Sequence, residues 1–169
     1  ESTRTIFEGL EWIGLDWDEG PYFQSDYVEQ HRAAALRLVE EGRAYYDFTP
    51  KREFDDRDVK ERVAEEARRQ GAERVRSPYR DLDLAEARRR AESGEPYAIR
   101  LKVPESGVST FHDAVYGEQS ADYTTIEDLV LLKSDGSPLY NLSVVVDDID
   151  MKITDVIRGR DHLANTHKQ

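Results

Sequence analysis

Several side chains that can bind charged groups or transfer protons follow one apolar run near the end of the chain. The run ITDVI occupies residues 153–157 and is predicted to form a buried strand. A strand, a crossover and a second strand predict a parallel sheet, in which ligands bind beyond the carboxyl ends of the strands. Four candidate residues come at that end: Arg158, Arg160, Asp161 and His162.

Arg158 comes directly after this run, and two interpretations of it are open. A strand would deliver its guanidinium to the rim of the sheet, where it could hold a carboxylate through two parallel hydrogen bonds. A structural salt bridge with Asp155 or Asp161 would explain the same residue. Tyr140 follows a Gly-Ser-Pro turn, and its hydroxyl could assist the arginine. A tyrosine in the core, with its hydroxyl hydrogen-bonded inside the protein, is the commoner case. These residues predict a ligand that carries a carboxylate or a phosphate.

Metal sites are not favoured by the sequence. Asp147, Asp148 and Asp150 could hold Mg²⁺, which prefers clustered carboxylates, but acidic residues also end apolar runs, and this simpler interpretation is preferred. His162 and His167 are five residues apart and do not share a helical face as a zinc pair separated by four would. The chain contains no cysteine, which excludes disulfides, thiolate zinc sites and thiol redox chemistry and is consistent with a cytoplasmic enzyme.

The charge of the chain is uneven. Its 169 residues include 24 basic and 36 acidic side chains, a net charge of −12, which argues against general adhesion to nucleic acid. Residues 51–102, however, hold 15 basic against 13 acidic residues, so a polyanion is expected to bind this middle part. No apolar run approaches the roughly 20 residues that a membrane span requires.

Local patterns predict a mixture of helices and strands. Helical spacing of apolar residues, with glycine stop signals, predicts helices over residues 2–13 and 25–42. RAYYDF predicts a strand, and residues 51–70 predict a solvated helix. A short helix within DLDLAEARRRAESG, a strand in PYAIRLKVP and a hairpin turning near Gly117 follow, which makes the middle α+β.

The last part of the chain leaves one element open. VLLK predicts a buried strand and DGSP a turn, whereas LYNLSVVVDD fits either a short helix or an extended segment. ITDVIRG predicts the next strand of the parallel sheet. The final residues, HLANTHKQ, predict the first turns of a helix without a stop signal, which indicates a fragment of a longer chain.

Three stretches of the sequence resemble one family. They are GLEWIGLDWDEGPYFQS, YAIRLKVP and DLVLLKSDGSPLYNLSVVVDDIDMKITDVIRGRDHLANTHKQ. In order and spacing they are similar to the interior of bacterial glutamyl-tRNA synthetases, which are class I aminoacyl-tRNA synthetases. The resemblance implies a partial α/β, Rossmann-like catalytic core that activates glutamate with ATP and magnesium and transfers the glutamyl group to the 3′ end of tRNA.

The family also has an α+β connecting insertion near the tRNA acceptor end. By this resemblance, residues 1–43 are the first segment of the core, residues 44–125 the insertion, and residues 126–169 the second segment of the core. The relatively basic middle of the chain falls within the insertion. The resemblance thus implies tRNA, glutamate and ATP as partners.

The resemblance assigns roles to individual residues. Tyr140 and Arg158 fall where the family has a tyrosine and an arginine around the carboxylate of the substrate, and Asp161 and His162 fall beside the ATP site. No residue of the chain is assigned to the chemical step itself. The basic residues of the insertion are expected to guide the acceptor end as a group, with these members: Lys51, Arg52, Arg68, Arg69 and Arg80.

The sequence also departs from the family. The HIGH and KMSKS signatures, which act on ATP, are absent and are expected before residue 1 and after residue 169, so this segment alone is expected to be inactive. Val144 stands where some members have a polar contact residue, and Arg160 where many have an acid. Some members bind zinc through cysteines, but AYYDFTPKREFD has Asp47 and Phe48 there, so no zinc is expected.

Two other functions stay open. The chain could be a catalytically inactive tRNA-binding or structural module derived from a synthetase, which would bind tRNA without any effect of glutamate or ATP. It could also belong to a truncated relative that glutamylates another acceptor. The sequence leaves open the oligomeric state and the choice between the tRNAs for glutamate and glutamine.

Overall fold

The computed structural model describes residues 2–50 and 76–169. The helix predicted over residues 51–70 lies outside these residues. The described residues form four α-helices and five strands, in chain order: α1 (Ser2–Trp12), α2 (Val28–Glu40), β1 (Ala44–Asp47), α3 (Leu84–Glu92), β2 (Ala98–Leu101), β3 (Val108–Asp113), β4 (Gly117–Asp122), β5 (Val130–Leu132) and α4 (Tyr140–Asp150). Three short 3₁₀ helices complete the described elements: Gln24–Tyr27, Tyr123–Thr125 and Arg160–Asn165.

The two predicted N-terminal helices are confirmed. Helix α1 presents Phe7 to the ring of Trp17, with ring centroids 5.2 Å apart, and α2 follows the 3₁₀ turn Gln24–Tyr27. Helix α2 ends where Gly42 adopts a φ of +69°, a conformation that costs glycine little because it has no Cβ. Its inward face buries Ala35 and Val39 in the main core.

A three-stranded antiparallel sheet forms the centre of this core. Strand order is β1-β2-β5, with Ala44 opposite Leu101 and Ile99 opposite Leu132. All four residues of β1 are buried, and Ile99 is fully buried. The predicted strands RAYYDF, PYAIRLKVP and VLLK are therefore confirmed. Helices α2 and α3 contribute Ala35, Val39 and Ala87 to the same core.

The predicted hairpin is confirmed as β3–β4. Its register runs from Val108 opposite Asp122 to Asp113 opposite Gly117. Asp113 Oδ1 accepts the backbone N–H groups of Val115 and Tyr116, both at 2.8 Å, and these two bonds lower the pKa of its carboxyl. A turn closed by its own aspartate explains why the hairpin could be predicted locally.

The predicted strand over ITDVIRG is wrong, and so is the parallel pairing. Residues 153–159 have no regular structure, and every strand pair among the described residues is antiparallel. Ile157 is 98% exposed. A strand needs a neighbour to accept and donate its backbone hydrogen bonds, and no described strand lies beside this run. LYNLSVVVDD, which was open between helix and extended segment, is the helix α4.

A buried ion pair ties the loop before α3 to the sheet. Asp128 Oδ2 accepts from Arg80 Nε at 2.8 Å and from the Tyr45 hydroxyl at 3.1 Å, and Asp128 Oδ1 accepts from the backbone N–H of Val103 at 3.0 Å. Arg80 Nη2 also donates to the Val103 carbonyl. Burial and the neighbouring Asp128 raise the pKa of the Tyr45 hydroxyl, which stays protonated as a donor.

Asp47 is the second buried carboxylate of the sheet. It accepts from the Thr49 hydroxyl at 2.6 Å, from Ser77 Oγ at 2.7 Å and from Arg100 Nε. Burial acts to raise the pKa of Asp47, but these hydrogen bonds outweigh it, so the pKa lies below the ordinary aspartate value of 3.8. The ionised form is thus stabilised by folding.

Folding stability is expected to depend on pH through Asp47. Because the pKa is lowered in the folded state, the contribution is fully present above a pH of 3.8 and is lost as pH falls through the folded pKa. Asp47→Asn should cost about 1.5–3 kcal/mol at pH 7, the range for hydrogen bonds to a charged group, and less at pH 3. Urea unfolding at both pH values measures this. The exposed Asp18→Asn is the control, and an equal loss at both pH values would contradict the assignment.

None of the helices in the described parts of the chain is long and apolar enough to cross a membrane.

Candidate functional site

Arg158 is half-buried and has two neutral partners. Its Nη1 donates to Gln169 Oε1 at 2.8 Å, and its Nη2 donates to the hydroxyl of Thr166. Within residues 2–50 and 76–169 it forms no ion pair, so the predicted alternative of a salt bridge with Asp155 or Asp161 is wrong. Its positive charge therefore has no acidic partner among the described residues.

The guanidinium of Arg158 also has N–H donors that lack a partner among the described residues. A guanidinium carries five N–H groups in a planar fork, and the two bonds to Thr166 and Gln169 leave three of them. Paired N–H groups of this kind fit the two oxygens of a carboxylate or phosphate. The arrangement can bind an anion without first breaking a salt bridge.

Tyr140 lies at the surface, not in the core. It is the first residue of α4 and is 51% exposed. Its position follows from the preceding turn, because Pro138 pairs with the end of β5 and Leu139 is the N-cap residue of the helix. The hydroxyl is therefore accessible to a ligand.

One amide side chain joins the segment of Arg158 to the helix of Tyr140. Gln169 accepts from Arg158 through Oε1, and its Nε2 donates to Asn141 Oδ1 at 3.2 Å. Asn141 is the neighbour of Tyr140 on α4. Gln169 thus connects Arg158 to the first turn of the helix that begins with Tyr140.

The turn before α4 depends on Gly136. Its φ is +77°, and its carbonyl accepts from Arg32 Nε at 2.8 Å. A Cβ added there would lie 2.9 Å from Arg32 Nη2. The turn that starts α4 therefore favours glycine for its backbone and for its close contact with α2.

Gly136→Ala should destabilise the fold by about 1–2 kcal/mol, the cost of a left-handed conformation in a residue with a Cβ. Arg32 must also move, which disturbs its bond to the Gly136 carbonyl. Gly9→Ala in α1, where nothing lies within 4 Å, is the matched control and should stabilise slightly. Urea denaturation midpoints of both variants test this, and equal shifts for the two would contradict it.

The three aspartates at the end of α4 do not form a metal site in the described structure. Asp147 Oδ1 lies 2.6 Å from Nε2 of the fully buried His31, and its Oδ2 accepts from Gln24 Nε2 at 2.6 Å. No group of three or more potential metal ligands occurs within the described ranges. Asp147 instead connects α4 to α2.

Asp161 and His162 lie in the 3₁₀ helix Arg160–Asn165, which replaces the longer helix predicted for HLANTHKQ. Both side chains are exposed, and His162 Nε2 lies 3.4 Å from Asp161 Oδ2. The guanidinium of Arg160 lies over the ring of Tyr116 in β3–β4, 5.3 Å from the centroid. The sequence offered no account of Arg160, and the structure gives it this contact with the hairpin.

Four of the predicted tRNA contacts, Lys51, Arg52, Arg68 and Arg69, lie outside the described residues. Arg80 does not have the surface position that its predicted role requires. It is only 6% exposed, and its guanidinium is committed to Asp128 and the Val103 carbonyl. A buried, paired arginine cannot reach a phosphate without breaking its ion pair. We therefore assign Arg80 a structural role in stabilising the fold.

The sequence did not single out the partners of Arg158. Asn141, Thr166 and Gln169 are common polar residues with no motif of their own, and they lie up to 28 residues apart. His31 was likewise missed, because a lone histidine in an amphipathic helix gives no sign that it will meet Asp147. Such pairings depend on how the helices pack.

An α/β domain with an exposed tyrosine, and with an arginine that has no acidic partner among the described residues, is suited to a small anionic ligand. The family described as tRNA synthetases class I (E and Q), catalytic domain, matches residues 1–169, and the chain belongs to this family. The α/β fold class and the glutamyl-tRNA synthetase resemblance predicted from the sequence are therefore confirmed.

Relatives and solved structures agree with this family. Glutamate–tRNA ligase 2 of Rubrobacter xylanophilus is 44% identical over 179 residues, covering the whole chain and 35% of the relative. Glutamate–tRNA ligase of Magnetococcus marinus is 47% identical over 166 residues, covering 97% of the chain and 32% of the relative. A crystal structure of a glutamate tRNA ligase from Elizabethkingia meningosepticum, in complex with its amino acid, is 30% identical with a TM-score of 0.77, covering 99% of this chain and 35% of that one.

The chain spans about a third of the length of these relatives. Its division into residues 1–43, 44–125 and 126–169 stays a prediction, as do the roles of individual residues. Strand β5, in the last of these segments, pairs with β2 in the middle one.

Proposed function

We propose that this chain is part of a glutamate–tRNA ligase. The whole enzyme activates glutamate with ATP and then transfers the glutamyl group to the 3′ end of tRNA. Membership of the family and the names of the relatives support this proposal. The observation within the chain that supports it most is that the guanidinium of Arg158 has only neutral partners among the described residues.

In this mechanism Arg158 and Tyr140 bind and orient glutamate. The α-carboxylate oxygen attacks the α-phosphorus of ATP, and the bond from that phosphorus to the bridging oxygen of pyrophosphate breaks. A terminal ribose hydroxyl of tRNA then attacks the activated carbonyl, and AMP leaves. A fixed orientation of glutamate accelerates the first step, because the reacting atoms start close together and aligned.

The charge of Arg158 favours glutamate over glutamine, although the family includes synthetases for both. Both protein partners of Arg158 are neutral. It therefore forms an ion pair with the side-chain carboxylate of glutamate, whereas with the side-chain amide of glutamine it forms only hydrogen bonds. A site that pairs a buried or half-buried charge discriminates strongly against the uncharged analogue. Glutamate is therefore the proposed substrate.

ATP enters with Mg²⁺ as a substrate complex, and Asp161 and His162 lie beside it. The exposed position of both side chains supports this placement. Zinc is not expected, and the proposed location of the enzyme is cytoplasmic.

The acceptor end of tRNA is proposed to bind along residues 44–125. Four arginine and lysine candidates remain for this role: Lys51, Arg52, Arg68 and Arg69. Such contacts position the RNA and depend on salt, and each single one is expected to matter little.

Glutamate-dependent exchange of pyrophosphate into ATP tests the function. The full-length protein, with tRNA present, should catalyse exchange with glutamate and not with glutamine, whereas residues 1–169 alone should not. A full-length protein that folds and binds tRNA but exchanges no pyrophosphate would support an inactive binding module instead.

A further inference from the structure

We propose that Thr166 and Gln169 are positioning residues, which set the direction of the Arg158 guanidinium and connect it to helix α4. This inference rests on the proposed function, because it concerns how the glutamate pocket is held. Neither residue was a candidate in the sequence. Both come from the turn that follows Arg158, 8 and 11 residues further along the chain.

The hydrogen bonds to Thr166 and Gln169 fix the orientation of the Arg158 guanidinium. An arginine side chain has several rotatable bonds, and losing this freedom on binding weakens affinity. Nη2 donates to Thr166 and Nη1 donates to Gln169, so the two ends of the planar fork are both fixed before a ligand arrives. The plane of the guanidinium, and with it the directions of the remaining N–H groups, is thereby set.

The charge of the two groups that accept from Arg158 matters as well. Both acceptors are neutral, so they hold the arginine without compensating it. A glutamate or aspartate at either position would hold the guanidinium equally well but would compete with the substrate carboxylate. Neutral positioning groups are therefore what an anion-binding arginine requires.

The side chain of Gln169 connects Arg158 to α4. The amide of Gln169 accepts from Arg158 on one side and donates to Asn141 Oδ1 on the other, at 2.8 and 3.2 Å. Helix α4 is held at its far end by the hydrogen bond between Asp147 and the buried His31. Arg158 is thus connected through Gln169 to the helix that begins with Tyr140, although the two residues lie in different segments.

The turn that carries both residues is itself anchored. His167, the neighbour of Thr166, hydrogen-bonds through Nδ1 to Ser109 Oγ at 3.1 Å and packs its ring edge-on against Phe111, with centroids 4.8 Å apart. These contacts place the turn on β3–β4. The Thr166 hydroxyl is therefore held at a fixed position for Arg158.

The test uses the full-length protein, with glutamate, ATP and tRNA in the pyrophosphate exchange assay. Thr166→Val and Gln169→Leu keep side-chain size and remove the acceptors, and each should raise KM for glutamate about tenfold, which is the lower range for a hydrogen bond to a charged group. KM for ATP and kcat should stay within about twofold. Thr166→Ser keeps the hydroxyl and should restore the normal KM.

Gln169→Glu separates positioning from simple structural support. This variant keeps an acceptor for Arg158 but adds a negative charge, so KM for glutamate should rise further than in Gln169→Leu. Asn141→Ala should raise KM in the normal protein and have no added effect in Gln169→Leu, because the bridge is already broken. The exposed Lys168→Gln, from the same turn, is the matched control and should change nothing.

The outcomes distinguish this inference from the proposed function. If Arg158→Ala loses activity while Thr166→Val and Gln169→Leu keep a normal KM for glutamate, the positioning role is overturned and the function stands. Equal changes in kcat and in both KM values, together with a lower melting temperature, would also overturn it, because they indicate general destabilisation. If Arg158→Ala retains full activity, both assignments fail.

Discussion

Replacing Arg158 with alanine is expected to lower kcat/KM for glutamate by about 100- to 1,000-fold in the full-length protein. Removing one partner of a hydrogen-bonded charge pair costs about 2–5 kcal/mol, and each 1.4 kcal/mol is a factor of ten. The effect is large because Arg158 has no competing ion pair in the described structure, so its full charge is available to the substrate.

Pyrophosphate exchange at varied glutamate concentrations measures this change. Arg158→Lys should recover only part of the loss, since an ammonium group cannot reproduce the planar fork. The exposed Arg37→Ala, on the outer face of α2, is the control for loss of a positive charge elsewhere. A loss confined to the ATP dependence would assign Arg158 to the nucleotide and not to glutamate.

Replacing Asp128 with alanine is expected to destabilise the fold by about 3–5 kcal/mol, the usual cost of breaking a buried ion pair by removing one partner. The acidic groups left near Arg80 among the described residues are Glu105, at 3.2 Å, and Asp81, at 3.9 Å, and both are exposed. Asp128 and Arg80 are 4% and 6% exposed, so water cannot replace the missing carboxylate. The Tyr45 hydroxyl and the Val103 N–H would also lose their acceptor. No other single substitution considered for this fold is expected to cost as much.

Urea unfolding followed by circular dichroism measures the loss. Asp81→Ala is the matched control, because Asp81 pairs with Lys102 at 2.8 Å but is 81% exposed, and such surface pairs contribute less than about 1 kcal/mol. The double variant Asp128→Leu with Arg80→Met should be more stable than Asp128→Ala, since it removes both buried charges. A double variant as unstable as the single one would contradict the role of the unpaired charge.

Local sequence patterns predicted most of the elements correctly. Helices α1 and α2 follow from apolar spacing and glycine stops, and β3–β4 follows from alternation around a turn that Asp113 closes itself. The information for these elements lies within one or two turns of the chain. The run at residues 153–157 was one exception, because its apolar residues indicate a strand only if another strand lies beside it.

The sequence by itself determined the residue types that can bind an anion, the order of the elements and the family. Only the tertiary structure decided how those residues act. It removed Arg80 from the surface by pairing it with Asp128, and it left Arg158 without an acid although two aspartates lie within three residues. It also joined His31 to Asp147 across 116 residues. The physical reason is that charge compensation depends on distance in space, which packing sets and which neighbouring positions in a sequence do not specify.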